Sequence, residues 1–355
     1  MSSTRNVIPD ETTLGSIAAE ESEDERFHSG WSEWIICNLV AGANSAALLQ
    51  KMRQSGFSDG YATARLREYE QNHTVHAARN AVATQRKAAD ILDALSKLEH
   101  KSPLNKQVDA VQHLPAADFY REYFFKNRPV VLHGIAADWK AVGLWTPEYF
   151  ADRFGDCPVE VTTGRNTDPD HEYNLAQHKR SMLMRDYVRL VVEGGETNDY
   201  YLVAQNYLLN RPEFHELYGH ITGSDGYLDP AGMRGRVRVW FGPKGTITQL
   251  HHDPAPVLVA QVYGRKQIKL ISPFHLNSVY SDGAWISPLE LDPIDYSRFP
   301  RMQNVDVLEV TLAPGEALFV PLGWWHWVKA LDVSISISLD NFVVPRAEIE
   351  MNWEL

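Results

Sequence analysis

The chain has 355 residues, 44% of them hydrophobic, with 34 basic side chains against 46 acidic ones and a formal charge of −12. That balance argues against a broad nucleic-acid surface, which needs clustered Lys and Arg, and no apolar run is long enough to cross a bilayer. Two cysteines, Cys37 and Cys157, make no disulfide framework, and the polar start lacks the apolar stretch of a signal peptide, so a reducing, cytoplasmic setting is expected.

Residues 1–25, acidic from Glu20 to Glu25, read as a flexible tail. Residues 26–100 read as a helical domain. Trp31, Trp34, Ile35 and Leu39 recur at helical spacing. Asn44 is a candidate cap for a helix carrying Leu48 and Met52, and Gly56 ends it. Ser58 or Asp59 starts the next, through Leu66. A longer helix from Thr74 to Leu98 sets Val75, Ala78, Val82, Ala89 and Leu92 on one face. Partner binding or homodimerisation is the role expected of this domain, beside the plainer one of a helical cap. Pro103 and its polar neighbours mark a linker at 101–110.

Residues 111–355 change character. Helices are predicted at Ala117–Phe125, Pro147–Phe154 and Ser181–Val192, and strands at Pro129–Leu132, Val159–Thr162 and Tyr200–Ala204. From Arg236 onward strand signals dominate: Val237–Trp240, Val257–Val262, Gln267–Ile271, Asp306–Leu312, Ala317–Val320 and Val333–Leu339. Short strands punctuated by Gly and Pro indicate a β-sandwich or open barrel with helices outside it. Gly264 is placed in the turn of a hairpin joining Leu258–Val262 to Lys266–Ile271.

Two segments carry the chemistry. The first is Leu250-His251-His252-Asp253-Pro254 and the second, beginning at Val320, ends in Trp324-Trp325-His326. Alternation along a strand puts His251 and Asp253 on one face and His252 on the other. His326, 73 residues beyond Asp253, supplies a third ligand from another strand. Two imidazoles and one carboxylate with open positions make the ligand set of non-haem Fe(II) oxygenases, and the same donors also suit zinc. Lys266 shares a face with Ile268 and Leu270, so it needs an anion or an escape to water. The distal carboxylate of 2-oxoglutarate is one such anion. Thr248 is three residues before His251, which puts it on the opposite face unless the chain bends between them. Ser334, Ser336 and Ser338 alternate with Ile335, Ile337 and Leu339, as in a strand lining a cavity or one with a solvated face. His133, His171, His178, His215 and His220 are read as ordinary histidines.

These residues together resemble the JmjC family of Fe(II)- and 2-oxoglutarate-dependent oxygenases. The likeness lies in Val239-Trp240-Phe241-Gly242-Pro243 through His251-His252-Asp253-Pro254, in Gln261-Val262-Tyr263-Gly264-Arg265-Lys266, and in Trp325-His326-Trp327-Val328-Lys329-Ala330-Leu331-Asp332. It runs from about Phe119 to Phe342 and is most like the arginyl-hydroxylase branch. The segment 28–100 is like the one ahead of bacterial cupin-like JmjC proteins. The resemblance implies a double-stranded β-helix with flanking helices, iron held by His251, Asp253 and His326, and 2-oxoglutarate held by Lys266 and Thr248. Gln205 and, with a one-residue shift from Leu202, Tyr201 match further co-substrate positions. Trp240, Asp340 and Asn341 are the substrate-side positions. Val257 stands where the branch often has Asn, and Asp340-Asn341 where it has a Trp pair.

The expected reaction consumes O2 and 2-oxoglutarate and hydroxylates a side chain in a protein or peptide, arginine first, giving succinate and CO2. Asp340, Asp282 and Glu290 are candidate guanidinium partners. The rivals are the same chemistry on a free amino acid, natural product or modified base, favoured if residues 272–304 lid a narrow pocket, a cupin-like binding protein without catalysis, and a zinc-dependent hydrolase.

Overall fold

The computed structural model describes residues 22–102, 106–222, 226–281, 284–344, 349 and 351, and divides the chain after Leu92. The first unit is helical. Ser45–Gln54 is capped by the Asn44 side chain, which accepts from the Ala46 amide at 2.8 Å, and Asp59–Glu70 follows Ser58. Trp31, Trp34, Ile35, Leu39, Leu48, Met52 and Leu66 form its core. Of the tail expected at 1–25, residues 1–21 lie outside the described residues. Glu23–Arg26 is a helical turn, because Ser22 and Glu25 cap each other reciprocally. The long helix runs unbroken over His73–Lys101, with no Gly or Pro inside it to stop it, so the division at Leu92 falls within this helix and not at 101–110.

The second unit is built from strands: β1 (Asp109–Gln112), β2 (Val130–His133), β3 (Pro158–Thr163), β4 (Lys179–Leu183), β5 (Tyr200–Tyr201), β6 (Val237–Gly242), β7 (Ile247–His251), β8 (Val257–Tyr263), β9 (Lys266–Ile271), β10 (Leu308–Leu312), β11 (Ala317–Val320), β12 (Trp325–Ala330) and β13 (Ser334–Leu339). A six-stranded sheet runs β1-β2-β11-β8-β13-β6, a four-stranded sheet β10-β9-β12-β7, and a small third sheet β4-β3-β5. From β6 to β9 successive strands alternate between the two main sheets, and so do β11, β12 and β13. This is the expected double-stranded β-helix.

That topology corrects the hairpin reading. β8 pairs with β11 and β13, and β9 with β10 and β12, so Gly264 carries the chain from one sheet to the other. Two further readings change. Lys179–Leu183 pairs with β3 as a strand before the helix Met184–Glu193 begins, so the helix expected from Ser181 starts later. The strand expected through Ala204 stops at Tyr201, and Ala204–Asn206 is a 3-10 turn.

The strand alternation has an unusual sense. On β6, β8 and β13 the apolar residues Val239, Phe241, Leu258, Ala260, Ile335 and Ile337 face outward, onto a core that includes Phe119, Phe150 and Tyr187 of the flanking helices. The opposite face turns into the barrel. At one end the barrel is filled by Val131, Ile268, Leu270, Leu318 and Val320; the other end is open and polar. The outer face of the four-stranded sheet packs Leu250, Trp325 and Trp327 against Val279, Leu289, Leu291, Phe299 and Met302 of the 279–302 segment.

Candidate active site

A cavity of about 230 Å³ occupies the open end of the barrel. His251 ends β7, Asp253 follows it just past the strand, and His326 stands directly opposite His251 on β12. One donor atom from each lies within 4.8 Å of the others. The Nε2 of His326 is 3.5 Å from Asp253, and the two imidazole rings are 4.1 Å apart. His252 points away and packs its ring on Trp325 at 4.5 Å.

The backbone fixes both imidazoles. His251 Nδ1 is 2.7 Å from the Gln249 carbonyl and His326 Nδ1 is 3.2 Å from the Trp324 carbonyl. A carbonyl only accepts, so each Nδ1 carries a proton and Nε2 is the nitrogen left to meet a ligand. Burial, and then the neighbouring His251, hold the His326 imidazole down at about 3. Two imidazoles whose Nδ1 atoms are held by the backbone, beside a carboxylate, fit a divalent transition metal through Nε2.

Thr248 joins this face through a bulge. His326 is opposite His251 but Val328 is opposite Thr248, so β7 holds one more residue than β12 across the same stretch. The odd spacing that would separate Thr248 from His251 on a regular strand is cancelled, and both line the cavity.

Lys266 is 3% exposed and donates from Nζ to the Tyr201 hydroxyl at 2.9 Å. Among the described residues no carboxylate pairs with it. A buried ammonium without an anion is costly, so this corner of the cavity favours an anion electrostatically. Leu202 is packed in the outer core and it is Tyr201 that faces in, which accounts for the one-residue shift. Gln205, Trp240, Val257, Ser336 and Ser338 also line the cavity. Ser336 donates to Gln261 Oε1 at 2.7 Å, and Trp240 Nε1 donates to Ser338 at 3.0 Å. The serine face of β13 is therefore buried and looks inward, so its polarity does not mark a solvated face.

Several expected substrate contacts are placed differently. Asp340 lines the cavity but is ion-paired with Arg238 at 3.1 Å, so its charge is already engaged. Asn341 is outside the cavity lining, and its Nδ2 donates to the Asp229 carbonyl at 2.9 Å where the chain beyond β13 pairs with the Leu228–Asp229 stretch. Glu290 is also outside the lining; its carboxylate accepts from the amides of Leu291 and Asp292, and burial raises it above the usual carboxylate range. Asp282 lies outside the described residues. The 272–304 segment packs mainly on the outer face of the four-stranded sheet, and within it only Trp285, among the described residues, reaches the cavity. Around Trp285 the segment seals the free edge of β7, through the His252 amide to the Trp285 carbonyl and the Ser287 amide to the Leu250 carbonyl.

Two arginines were not anticipated. Arg238 precedes Trp240 by two, so alternation alone would have put it on the cavity face. Arg165 carries no local signal. Its buried guanidinium donates to the Ile247 carbonyl at 2.6 Å and to Glu172 at 3.1 Å, and its Cζ lies 5.4 Å from the Tyr201 ring centroid. It thus ties the start of β7 to Tyr201. Burial alone would raise the Glu172 carboxyl, but His171 and the charge of Arg165 bring it below its ordinary value.

Known proteins carry the same framework. Residues 116–341 match the model of the cupin-like domain. The chain belongs to the cupin-like domain family. The matched stretch contains every strand from β2 to β13 and all three metal donors. Within this family its relatives are JmjC proteins. It is 31% identical to Lysine-specific demethylase JMJ30 of Arabidopsis thaliana over 66% of this chain and 54% of that one. It is 29% identical to Lysine-specific demethylase 8 of Xenopus tropicalis over 64% and 51%, and 27% identical to Jumonji C domain-containing protein 5 of Drosophila melanogaster over 62% and 56%. The chain thus spans about half the length of these relatives. JmjC oxygenases use Fe(II) and 2-oxoglutarate, and the cupin-like domain here has the donors for the first and a buried cation for the second. No helix among the described residues is long and apolar enough to cross a membrane.

Proposed function

We propose that the chain is an Fe(II)- and 2-oxoglutarate-dependent oxygenase that hydroxylates an unactivated C–H bond of an amino-acid side chain. The observation that carries this is the convergence of His251, Asp253 and His326 in the same cavity as Lys266, whose charge no carboxylate among the described residues meets. Bound Fe(II), with 2-oxoglutarate and O2, supplies an oxidant strong enough for such a bond and converts 2-oxoglutarate to succinate and CO2. His251, Asp253 and His326 hold the metal. Lys266, with Tyr201 fixing its ammonium and Thr248 lining the same cavity, takes the distal carboxylate of 2-oxoglutarate. Trp240 and Trp285 wall the substrate side and limit water.

The names of the curated relatives favour a residue within a protein or peptide, and arginine is the first candidate of the branch that the sequence resembles. The same chemistry on a free amino acid or another small molecule is the second reading, favoured by the modest cavity and by the engagement of Asp340 with Arg238. The test is anaerobic titration with Fe(II) and 2-oxoglutarate, following the visible charge-transfer band. Wild type develops the band, His326→Ala does not, and Lys266→Ala needs more 2-oxoglutarate. Folded, metal-loaded protein with no band would sink the oxygenase reading in favour of a binding protein or a zinc enzyme.

A further inference from the structure

The wall of the cavity opposite the four-stranded sheet is made by β6 and β13. Arg238 and Trp240 face inward from β6, and Ser336 and Ser338 from β13, with Arg238 in register with Ser338 and Trp240 with Ser336. The small Ser338 leaves room for the Arg238 side chain to reach Asp340, two residues further along the same face. Asp340 is the more buried partner, its side chain 6% exposed against 27% for Arg238. Arg238 has five N–H donors, and its Nη1 is the only one spent on a side chain among the described residues. A guanidinium anchored from behind by a buried carboxylate and open in front is a receptor for a second carboxylate, which it can grip through two parallel bonds.

We propose that Arg238 is the substrate-recognition cation of this site and that the substrate presents a carboxylate to it. Asp340 acts as a positioning residue that aims the guanidinium. The inference rests on the oxygenase reading for the word substrate, but binding alone tests it. An α-carboxylate reaches Arg238 either from a free amino acid or from the C-terminal residue of a peptide. A lone internal cationic side chain does not complement Arg238 and must compete with it for Asp340.

The experiment is calorimetric binding to the full chain loaded with Fe(II) and saturating 2-oxoglutarate under argon. The probes are the free L-amino acids, each beside its carboxamide, and arginyl tripeptides ending in Arg as the acid or the amide. At least one acid binds, and its amide binds weaker by roughly ten-fold or more, the loss expected for a charge-assisted pair. The better class of acid identifies the source. Arg238→Gln abolishes the preference, while Arg238→Lys, which keeps the charge without the fork, retains part of it. Thermal melts of both variants exclude misfolding as the cause. Equal binding of acid and amide, no binding by any acid, or an undiminished preference in Arg238→Gln each overturns the proposal. So does a charge-transfer band that weakens in Arg238→Gln with no acid preference in wild type, because the carboxylate at Arg238 is then that of 2-oxoglutarate. Absence of the band in wild type, with the acid preference intact, removes the oxygenase reading and leaves Arg238 as a carboxylate receptor.

Discussion

Lys266 donates to the Tyr201 hydroxyl across 2.9 Å, deep in the barrel, and the phenol is a neutral partner. The ammonium is therefore hydrogen-bonded but its charge is uncompensated among the described residues. Burying a charge without a counter-charge opposes folding, and supplying the counter-ion relieves that cost. On the proposed reading, the ligand supplies the counter-charge that the apoprotein lacks.

Opposite effects on stability and binding follow for Lys266→Met. The apoprotein should melt at the wild-type temperature or above it, because an uncompensated buried cation is gone. Apparent affinity for 2-oxoglutarate should fall roughly thirty-fold or more, about 2 kcal/mol at the low end for losing one partner of a desolvated charge pair. Melting curves and anaerobic titration check the two halves. An apoprotein destabilised by several degrees would mean that Lys266 is satisfied without ligand.

Tyr201→Phe isolates the positioning hydroxyl. The ring stays between Arg165 and Lys266, whose guanidinium carbon and ammonium are 5.4 and 5.5 Å from its centroid. Only the hydrogen bond is lost, a change of about 1 kcal/mol. KM for 2-oxoglutarate should rise several-fold with kcat nearly unchanged. A collapse of kcat with unaltered KM would place Tyr201 in the chemistry itself.

How much of this was legible in the sequence depends on whether a feature is local. The triad was legible because His251 and Asp253 sit two apart and His326 lies in its own recognisable segment. Lys266 was legible because alternation put it beside Ile268 and Leu270. The Thr248 bulge was not, since an extra residue on β7 shows only against the register of β12. The supposed hairpin at Gly264 failed for a related reason. Two apolar strands joined by Gly look alike whether they pair with each other or feed opposite sheets. Arg165 is positioned by Asn198, Glu172 and Ile247, contacts that no local pattern encodes. Asp340 was visible as a charge near the pocket, but its partner Arg238 lies 102 residues earlier.

The Asp168–His178 pair gives a pH signature. His178 Nδ1 faces the Thr163 carbonyl and Nε2 faces Asp168, each at 2.9 Å, so both nitrogens donate and the ring is the cation. The Asp168 hydrogen bond raises His178 above 6.5, and the His178 contact, with Asn174 and the Asp170 amide, lowers Asp168 from 3.8 to about 2. The raised histidine contributes stability that is complete below 6.5 and lost as pH rises through its folded value. The lowered aspartate contributes stability that is complete above 3.8 and lost as pH falls through about 2. The gap in melting temperature between wild type and His178→Gln should be largest near about pH 5 and smaller at about pH 8. A gap that grows toward alkaline pH would contradict the cationic assignment.

Gly264 couples the stability of the barrel to the anion site. Its φ of +65° lies in the left-handed region, and a Cβ there would run into the Val333 carbonyl where β8 crosses over to β9. The same corner is closed by the Leu331 amide donating to the Arg265 carbonyl at 3.0 Å and by Arg265 on Asp332 at 2.8 Å, immediately before Lys266. Gly264→Ala therefore carries the left-handed penalty and a backbone clash together, more than about 2 kcal/mol. Moving the Gly264 side of the clash shifts the crossover two residues before Lys266. Melting temperature and 2-oxoglutarate affinity should fall together in this variant, whereas Lys266→Met separates them. A Gly264→Ala protein that is less stable but binds 2-oxoglutarate at full strength would show that the crossover can move without carrying the cation with it.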